Sequence, residues 1–254
     1  AEVMIEPAIY TDNGMSFEAF MSAINDGRDR VLRAWKVTMN WVLTIPRNRP
    51  RKGDDIARWA VSATARKGFV VGLGLSGQED EQPTGQFKRA FAVAKKHDLP
   101  RLVQAGNVKG AAGVNEALTE LEPTGLLDPY GILEDDQLMA LLAGLQMPIS
   151  ISLIRELRLG RIAEFSDYPI QQLYDADVPL IIGSGLPMIY KSSLNDEYEA
   201  AVAAGLGLDE LEQVALNGIR CSHMPDEQKQ AMLDEFTAAY AQLREEHLSG
   251  EEQT

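Results

Sequence analysis

Short apolar runs alternate with stretches of helical periodicity along almost the whole chain. The runs at 2–9, 39–45, 69–75, 101–105, 124–127, 149–153 and 179–182 are apolar at nearly every position, the pattern of strands covered on both faces. Amphipathic helices are expected between them. Ser16 stands as an N-cap before Phe17, Phe20, Met21, Ile24, Val31, Leu32 and Trp35 at helical spacing. A second helix is expected over 54–66, with Ile56, Trp59, Ala60 and Ala63 on one side. Phe87, Phe91 and Ala94 mark a third, Val114, Leu118 and Leu121 a fourth, and Leu138, Leu141 and Leu142 a fifth that stops near Gly144. After Pro169, Ile170, Leu173 and Tyr174 follow. Three closing helices are expected over 195–204, 209–220 and 226–248, the last opened by Pro225 and carrying Leu233, Phe236, Tyr240 and Leu243 on one face. Strand–helix alternation predicts a parallel sheet with helical crossovers. Seven strand candidates are one short of a closed eight-stranded barrel, and periodicity alone leaves an open doubly wound sheet as an alternative.

Composition narrows the picture. The 254 residues are 45% hydrophobic and 24% charged, which is ordinary for a globular domain. A net charge of −14 disfavours a nucleic-acid backbone or an anionic membrane as partner. No apolar run approaches the roughly 20 residues that span a bilayer, and no basic-then-apolar leader is visible. Cys221 is the only cysteine, which precludes an intrachain disulfide and points to a reducing, cytoplasmic setting with Cys221 as a small buried hydrophobe. The three histidines, His97, His223 and His247, form no His-x-His or His-Glu-x-x-His pattern, so they read as solvated or helix-terminal residues rather than metal ligands.

Local sequence favours one closed-barrel family. The segment from Leu186 to Tyr198 (LPMIYKSSLNDEY) is similar to the stretch after the last barrel strand of adenosine deaminases. Val70 to Glu79 (VVGLGLSGQE) resembles the family strand ending in Leu-Ala-Gly-Asp-Glu, and Gln104-Ala-Gly-Asn107 stands where the family has His-Ala-Gly-Glu. The opening Glu2 to Pro7 (EVMIEP) resembles the family's second strand, and Cys221 to Lys229 echoes its closing Ser-Phe-x-x-x-Glu-x-Lys. The matches are collinear and nearly span the chain. The resemblance implies a single domain over residues 1–254 folded as a (β/α)8 TIM-type barrel lacking its first strand, with extra C-terminal helices. A fragment, a strand supplied by another chain, and closure on seven strands would each account for the missing strand, in that order of preference.

The resemblance also implies a chemistry that this sequence has rewritten. In the family, zinc held by imidazoles and a carboxylate generates hydroxide, and a Glu moves a proton to the purine ring. Here the ligand His of the fifth family strand is Gln104, and the proton-shuttling Glu is Asn107. The His of Arg-Ile-Gly-His-Gly is Tyr130, and the Asp pair after the last strand is Gly185-Leu186. Gly77 matches the family glycine whose backbone lies against the purine. No catalytic or zinc-ligating residue of the family is therefore expected in this chain. A pocket of Gly77, Gln104, Asn107, Tyr130, Arg155 and Leu186 is expected instead, suited to holding a planar, polar ligand without chemistry.

Other features have competing readings. Arg47, Arg49, Arg51 and Lys52 follow a strand at the active face of barrels; an anion site is one reading, and a solvated loop is preferred because no glycine-rich cradle lies beside them. Arg155 and Glu156 are expected to pair with neighbours, including Arg158, and seal the barrel mouth. Gly72-x-Gly74-x-x-Gly77 has the dinucleotide-binding spacing, but its first two glycines fall within a strand and no helix follows, so that reading is rejected.

Three functions follow. The first is a degenerate adenosine-deaminase-like protein binding a purine nucleoside or nucleotide. The second is an aminohydrolase with a relocated metal held by Glu79, Asp80 or Asp128. The third is an interaction partner, as a homo-oligomer or with a strand-complementing paralogue.

Overall fold

The computed structural model describes residues 1–248. Two compact units emerge, one over Ala1–Ile149 and the other from Ser150 onward. Among the described residues they hold seven strands: β1 (Glu2–Ile5), β2 (Asn40–Pro46), β3 (Val70–Ser76), β4 (Arg101–Gln104), β5 (Gly125–Leu127), β6 (Ile149–Ile151) and β7 (Leu180–Ile182). Helices separate them, as in an incomplete (β/α)8-type barrel.

In the first unit, β1 to β5 lie in chain order and pair in parallel. Leu43, Leu73, Leu75 and Val103 are fully excluded from solvent. The helices Gly53–Ala60 and Lys88–Lys96 pack on these strands and on each other through Ile56, Ala60, Phe91 and Ala94. β3 contains glycines for a steric reason. A Cβ at Gly74 would fall 2.7 Å from Met4 Cε and 2.8 Å from Thr44 Oγ1. These glycines are interior to a strand, as expected, and the next regular helix begins only at Lys88.

In the second unit, β7 lies beside β6, with Gly183 N donating to Ile151 O at 2.9 Å. The helices Leu194–Ala203 and Leu208–Arg220 pack on β7 and bury Ala200, Ala201, Val214 and Ile219. The closing helix, Asp226–His247, packs on Leu208–Arg220.

Several boundaries differ from those read in the sequence. The run 2–9 is strand only to Ile5, because Pro7 opens a short helix, Ala8–Thr11. The expected helix 54–66 is two helices, Gly53–Ala60 and Ala63–Lys67, divided where the Ser62 hydroxyl accepts from Ala65 N and starts a new N-terminus. Trp35, expected on the buried face of the helix Phe17–Trp35, is 71% exposed at its C-terminal end, where Lys36 turns left-handed. Leu141, Phe236 and Leu243, also expected on apolar faces, are exposed. Cys221 is half-buried rather than buried, and partial burial pushes its thiol above the ordinary value.

Candidate functional site

The C-terminal ends of β3, β4 and β5 bring together the densest group of residues singled out in the sequence. The chain leaves β3 through Ser76 and turns at Gly77, whose φ of +101° suits glycine. Ser76 Oγ donates to Glu6 Oε1 from the end of β1 at 2.8 Å. The Gly77 N–H donates to Gln104 Oε1 at 3.2 Å, and Gln104 Nε2 donates to Asp128 Oδ2 at 3.3 Å. Asp128 also has a left-handed backbone, with φ +46°. One side-chain amide therefore ties three strand ends together. Tyr130 follows on the same connection, its N–H donating to Asp128 O at 2.9 Å. Asn107 lies in the loop after β4, half-buried.

That loop is organised around Glu79, which is 2% exposed. Glu79 Oε1 accepts from Gly106 N at 2.8 Å, and Oε2 accepts from Asn107 N and Val108 N at 2.8 Å and Lys109 N at 3.3 Å. These amides lead into the helix Gly110–Leu121, whose own residues provide no side-chain cap. A carboxylate from another strand end thus supplies the acceptors and the negative charge that a helix N-terminus favours. Gly113 is needed beneath it, since a Cβ there would come within 2.1 Å of Glu79 Oε1.

Arg47, at the end of β2, is the main departure from expectation. The sequence favoured a solvated loop; the side chain is instead 1% exposed. Its Nη2 donates to Gln104 O at 2.8 Å, while Nε and Nη1 are buried and find no hydrogen-bond partner among the described residues. Burial lowers its pKa from the usual guanidinium value, partly offset by Glu79, Glu116 and Glu81. The turn at Gly77 covers it, because a Cβ at Gly77 would meet Arg47 Cβ and N at 3.4 Å. Arg49 and Lys52 both pair with Asp12, and Arg51 lines a shallow cavity with Pro50, Gln82 and Gln86. The basic run is thereby divided among an internal prop, a neutralised pair and one solvent-facing residue.

In the second unit, β6 is followed by Ser152, the N-cap of the helix Leu153–Arg158, which carries Arg155 and Glu156. Glu156, nearly inaccessible, pairs with Arg155 at 2.9 Å and with Arg161 at 2.8 Å. Arg161, and not the expected Arg158, completes this ion pair, because the turn at Gly160 returns the chain towards Glu156; Arg161 N also donates to Glu156 O. Glu197, fully buried, accepts from Ser152 Oγ at 2.6 Å, Leu153 N at 2.7 Å and Ile154 N at 3.2 Å. Burial raises its pKa from the ordinary glutamate value, and those three hydrogen bonds oppose the shift. Gly185 has φ +58°, and a Cβ there would lie 2.8 Å from Ser152 Oγ. Leu186 is 51% exposed.

Zinc does not fit the residues present. The amide of Gln104 is engaged at both ends, Gly185 offers no side-chain donor, and both oxygens of Glu79 are taken by backbone amides. Among the described residues no group of three or more His, Cys, Asp or Glu is arranged to hold a metal ion.

Sequence reasoning did not assign the anchoring roles of Glu79 and Glu197, or the burial of Arg47. Glu79 lies in the matched Ser-Gly-Gln-Glu segment and Glu197 in the acidic-Tyr pair, but a family match does not disclose what a carboxylate holds.

Known proteins resemble this chain in sequence and in fold. The chain is 30% identical over 246 residues to an aminodeoxyfutalosine deaminase of Streptomyces coelicolor, covering 94% of this chain and 63% of that protein. The solved adenine deaminase of Arthrobacter aurescens superposes with a TM-score of 0.86 at 22% identity, over 95% of this chain and 73% of the other. Arabidopsis ADAL complexed with IMP superposes at 0.84 and 24% identity, over 95% and 72%. The model of the adenosine deaminase family matches residues 1–239, and the chain belongs to that family.

Proposed function

We propose that this chain is a catalytically degenerate, purine-binding member of the adenosine deaminase family. The observation that carries the reading is Gln104, which stands in the metal-ligand position and directs its amide to Gly77 and Asp128. Asn107 in the acid/base position has no proton to exchange near neutrality. Gly77, Gln104, Asn107 and Tyr130 form the candidate ligand-binding group of the first unit. Arg155 and Leu186 are candidate contacts of the second unit in their own right. A purine ligand is supported by the IMP complex of Arabidopsis ADAL. The basic run gives little support for a dedicated phosphate site, since Arg49 and Lys52 are neutralised by Asp12. A relocated metal at Glu79 is opposed by the four amides that Glu79 accepts.

The test is metal content per chain in protein purified without chelator, together with calorimetric titration of adenine, adenosine and IMP and an absorbance assay for deamination. Substoichiometric zinc, measurable purine binding and no turnover are expected. About one equivalent of zinc with chelator-sensitive turnover refutes the reading.

A second reading, association with another chain, draws on β1. Among the described residues this strand has a single neighbour in the sheet order, and its Met4 is 36% exposed. A concentration-independent monomer in sedimentation counts against self-association.

A further inference from the structure

Gln104 has a divided character. Its backbone is fixed: it pairs in register with Leu127, and its carbonyl accepts from the buried Arg47 at 2.8 Å. Its side chain is held far more loosely, by contacts of 3.2 and 3.3 Å at the weak end of the N–H···O range. Those contacts also determine which way the amide faces. The Gly77 N–H can only donate, so it must meet the amide oxygen, and the Asp128 carboxylate must meet the NH2. A donor from β3 and an acceptor from β5 therefore face one acceptor–donor edge. Both are held by positive-φ backbone conformations, free of strain at Gly77 but costly at Asp128, and strain of the latter kind accumulates at binding sites. Gly77 is exposed and Gln104 half-buried, so the clamp opens to solvent.

An amide edge has close chemical equivalents. Adenine presents a ring-nitrogen acceptor beside an exocyclic amino donor, and 6-oxopurines present a carbonyl acceptor beside a ring N–H donor. We propose that the Gln104 side chain is a built-in stand-in ligand, occupying a Gly77–Asp128 clamp that accepts the amide or amidine edge of a planar heterocycle once Gln104 swings aside. This rests on the purine-binding reading and deepens it. Gln104 becomes a specificity-determining gate rather than a ligand contact, and recognition of the edge falls to the Gly77 N–H and Asp128. Swinging the side chain out leaves the Gln104 backbone in place, because Arg47 and the β4–β5 ladder hold it independently.

The test compares wild type, Gln104→Ala and the double variant Gln104→Ala/Asp128→Ala by calorimetric titration with adenine, hypoxanthine and 9-methylpurine, which carries no N–H donor. Gln104→Ala is expected to bind adenine and hypoxanthine about tenfold more tightly than wild type. 9-Methylpurine is expected to show no such gain, and the double variant is expected to lose it. Gln104→Ser replaces Gln104→Ala if the latter unfolds, because its hydroxyl cannot span the clamp. Wild-type binding with no gain in Gln104→Ala overturns the gate and leaves the purine-binding reading standing. Binding by Gln104→Ala alone supports the gate and removes purine binding from the native chain. No binding by either protein overturns both.

Discussion

Replacing Glu79 by Ala strands the four amides that organise the loop after β4. An unsatisfied buried donor costs roughly 1–3 kcal/mol, so complete stranding would cost about 4–12 kcal/mol. The structure lowers that figure. Asn107 and Lys109 are half-buried and Val108 is 48% exposed, so water can reach their amides once the carboxylate is gone. Gly106 is buried and keeps most of its penalty. The expected loss is about 3–5 kcal/mol, a large share of the roughly 5–15 kcal/mol that holds a typical domain together. Glu79→Gln keeps one acceptor oxygen but turns an NH2 towards backbone donors, and about 2–3 kcal/mol is expected. Tryptophan fluorescence in urea is a suitable assay, because the three tryptophans, Trp35, Trp41 and Trp59, all lie in the first unit and report its unfolding alone. Hydrogen exchange should show the amides of residues 106–109 losing protection in both variants. A loss below about 1 kcal/mol in Glu79→Ala would refute the reasoning, since it would mean that the amides find other acceptors at no cost.

Further expectations follow from the same geometry. Gly131→Ala places a Cβ 2.2 Å from the Gly110 carbonyl carbon, where only backbone can yield; about 2–4 kcal/mol of destabilisation is expected, and a change under 0.5 kcal/mol in urea titration would contradict the close approach. Arg161→Ala should destabilise the second unit by about 1–2 kcal/mol while Arg158→Ala changes little, and the reverse order in thermal melts would overturn the assignment of Glu156's partners. Glu197, its pKa raised by burial, takes up its proton at higher pH in the folded chain than in the unfolded one. The folded state therefore binds more protons between the unfolded and folded values, and stability falls as pH rises through that window. Glu197→Gln should flatten this slope, and identical pH–Tm curves for the two proteins would show that Glu197 does not titrate on unfolding.

The fold was largely legible because its strands are covered on both faces and its helices are amphipathic. Leu43, Leu73 and Val103 declare themselves in apolar runs, and Phe87, Phe91 and Ala94 declare one helix face. What periodicity hides is the fate of polar residues. A lone Arg after a strand reads as solvent-facing, and Arg47 becomes internal only when the chain turns back over it at Gly77. Glu79 reaches amides 27 to 30 positions away, and Glu197 reaches groups 43 to 45 positions away, distances at which no local pattern operates. Trp35 and Leu141 differ from expectation in another way: their spacing is helical, but among the described residues that part of the face stays exposed. The family resemblance named candidate positions, and the structure brings Gly77, Gln104 and Asp128 together at the ends of β3, β4 and β5. The bonding that makes Gln104 a bridge between strand ends was not legible in the sequence.

The carboxylates of Glu79 and Glu197 have a consequence for redesign. Glu79 fixes the loop after β4 and Glu197 the first turn of the helix Leu153–Arg158, each from elsewhere in the chain, and both hold backbone amides rather than the side chains at 104 and 107. The side chains at 104 and 107 are thus mounted on a pre-set chassis: Gln104 by Arg47 and the β4–β5 ladder, Asn107 by Glu79. Grafting His and Glu into those two positions should leave the mounting unchanged, so reactivity and foldability in this protein can be exchanged as separate parts.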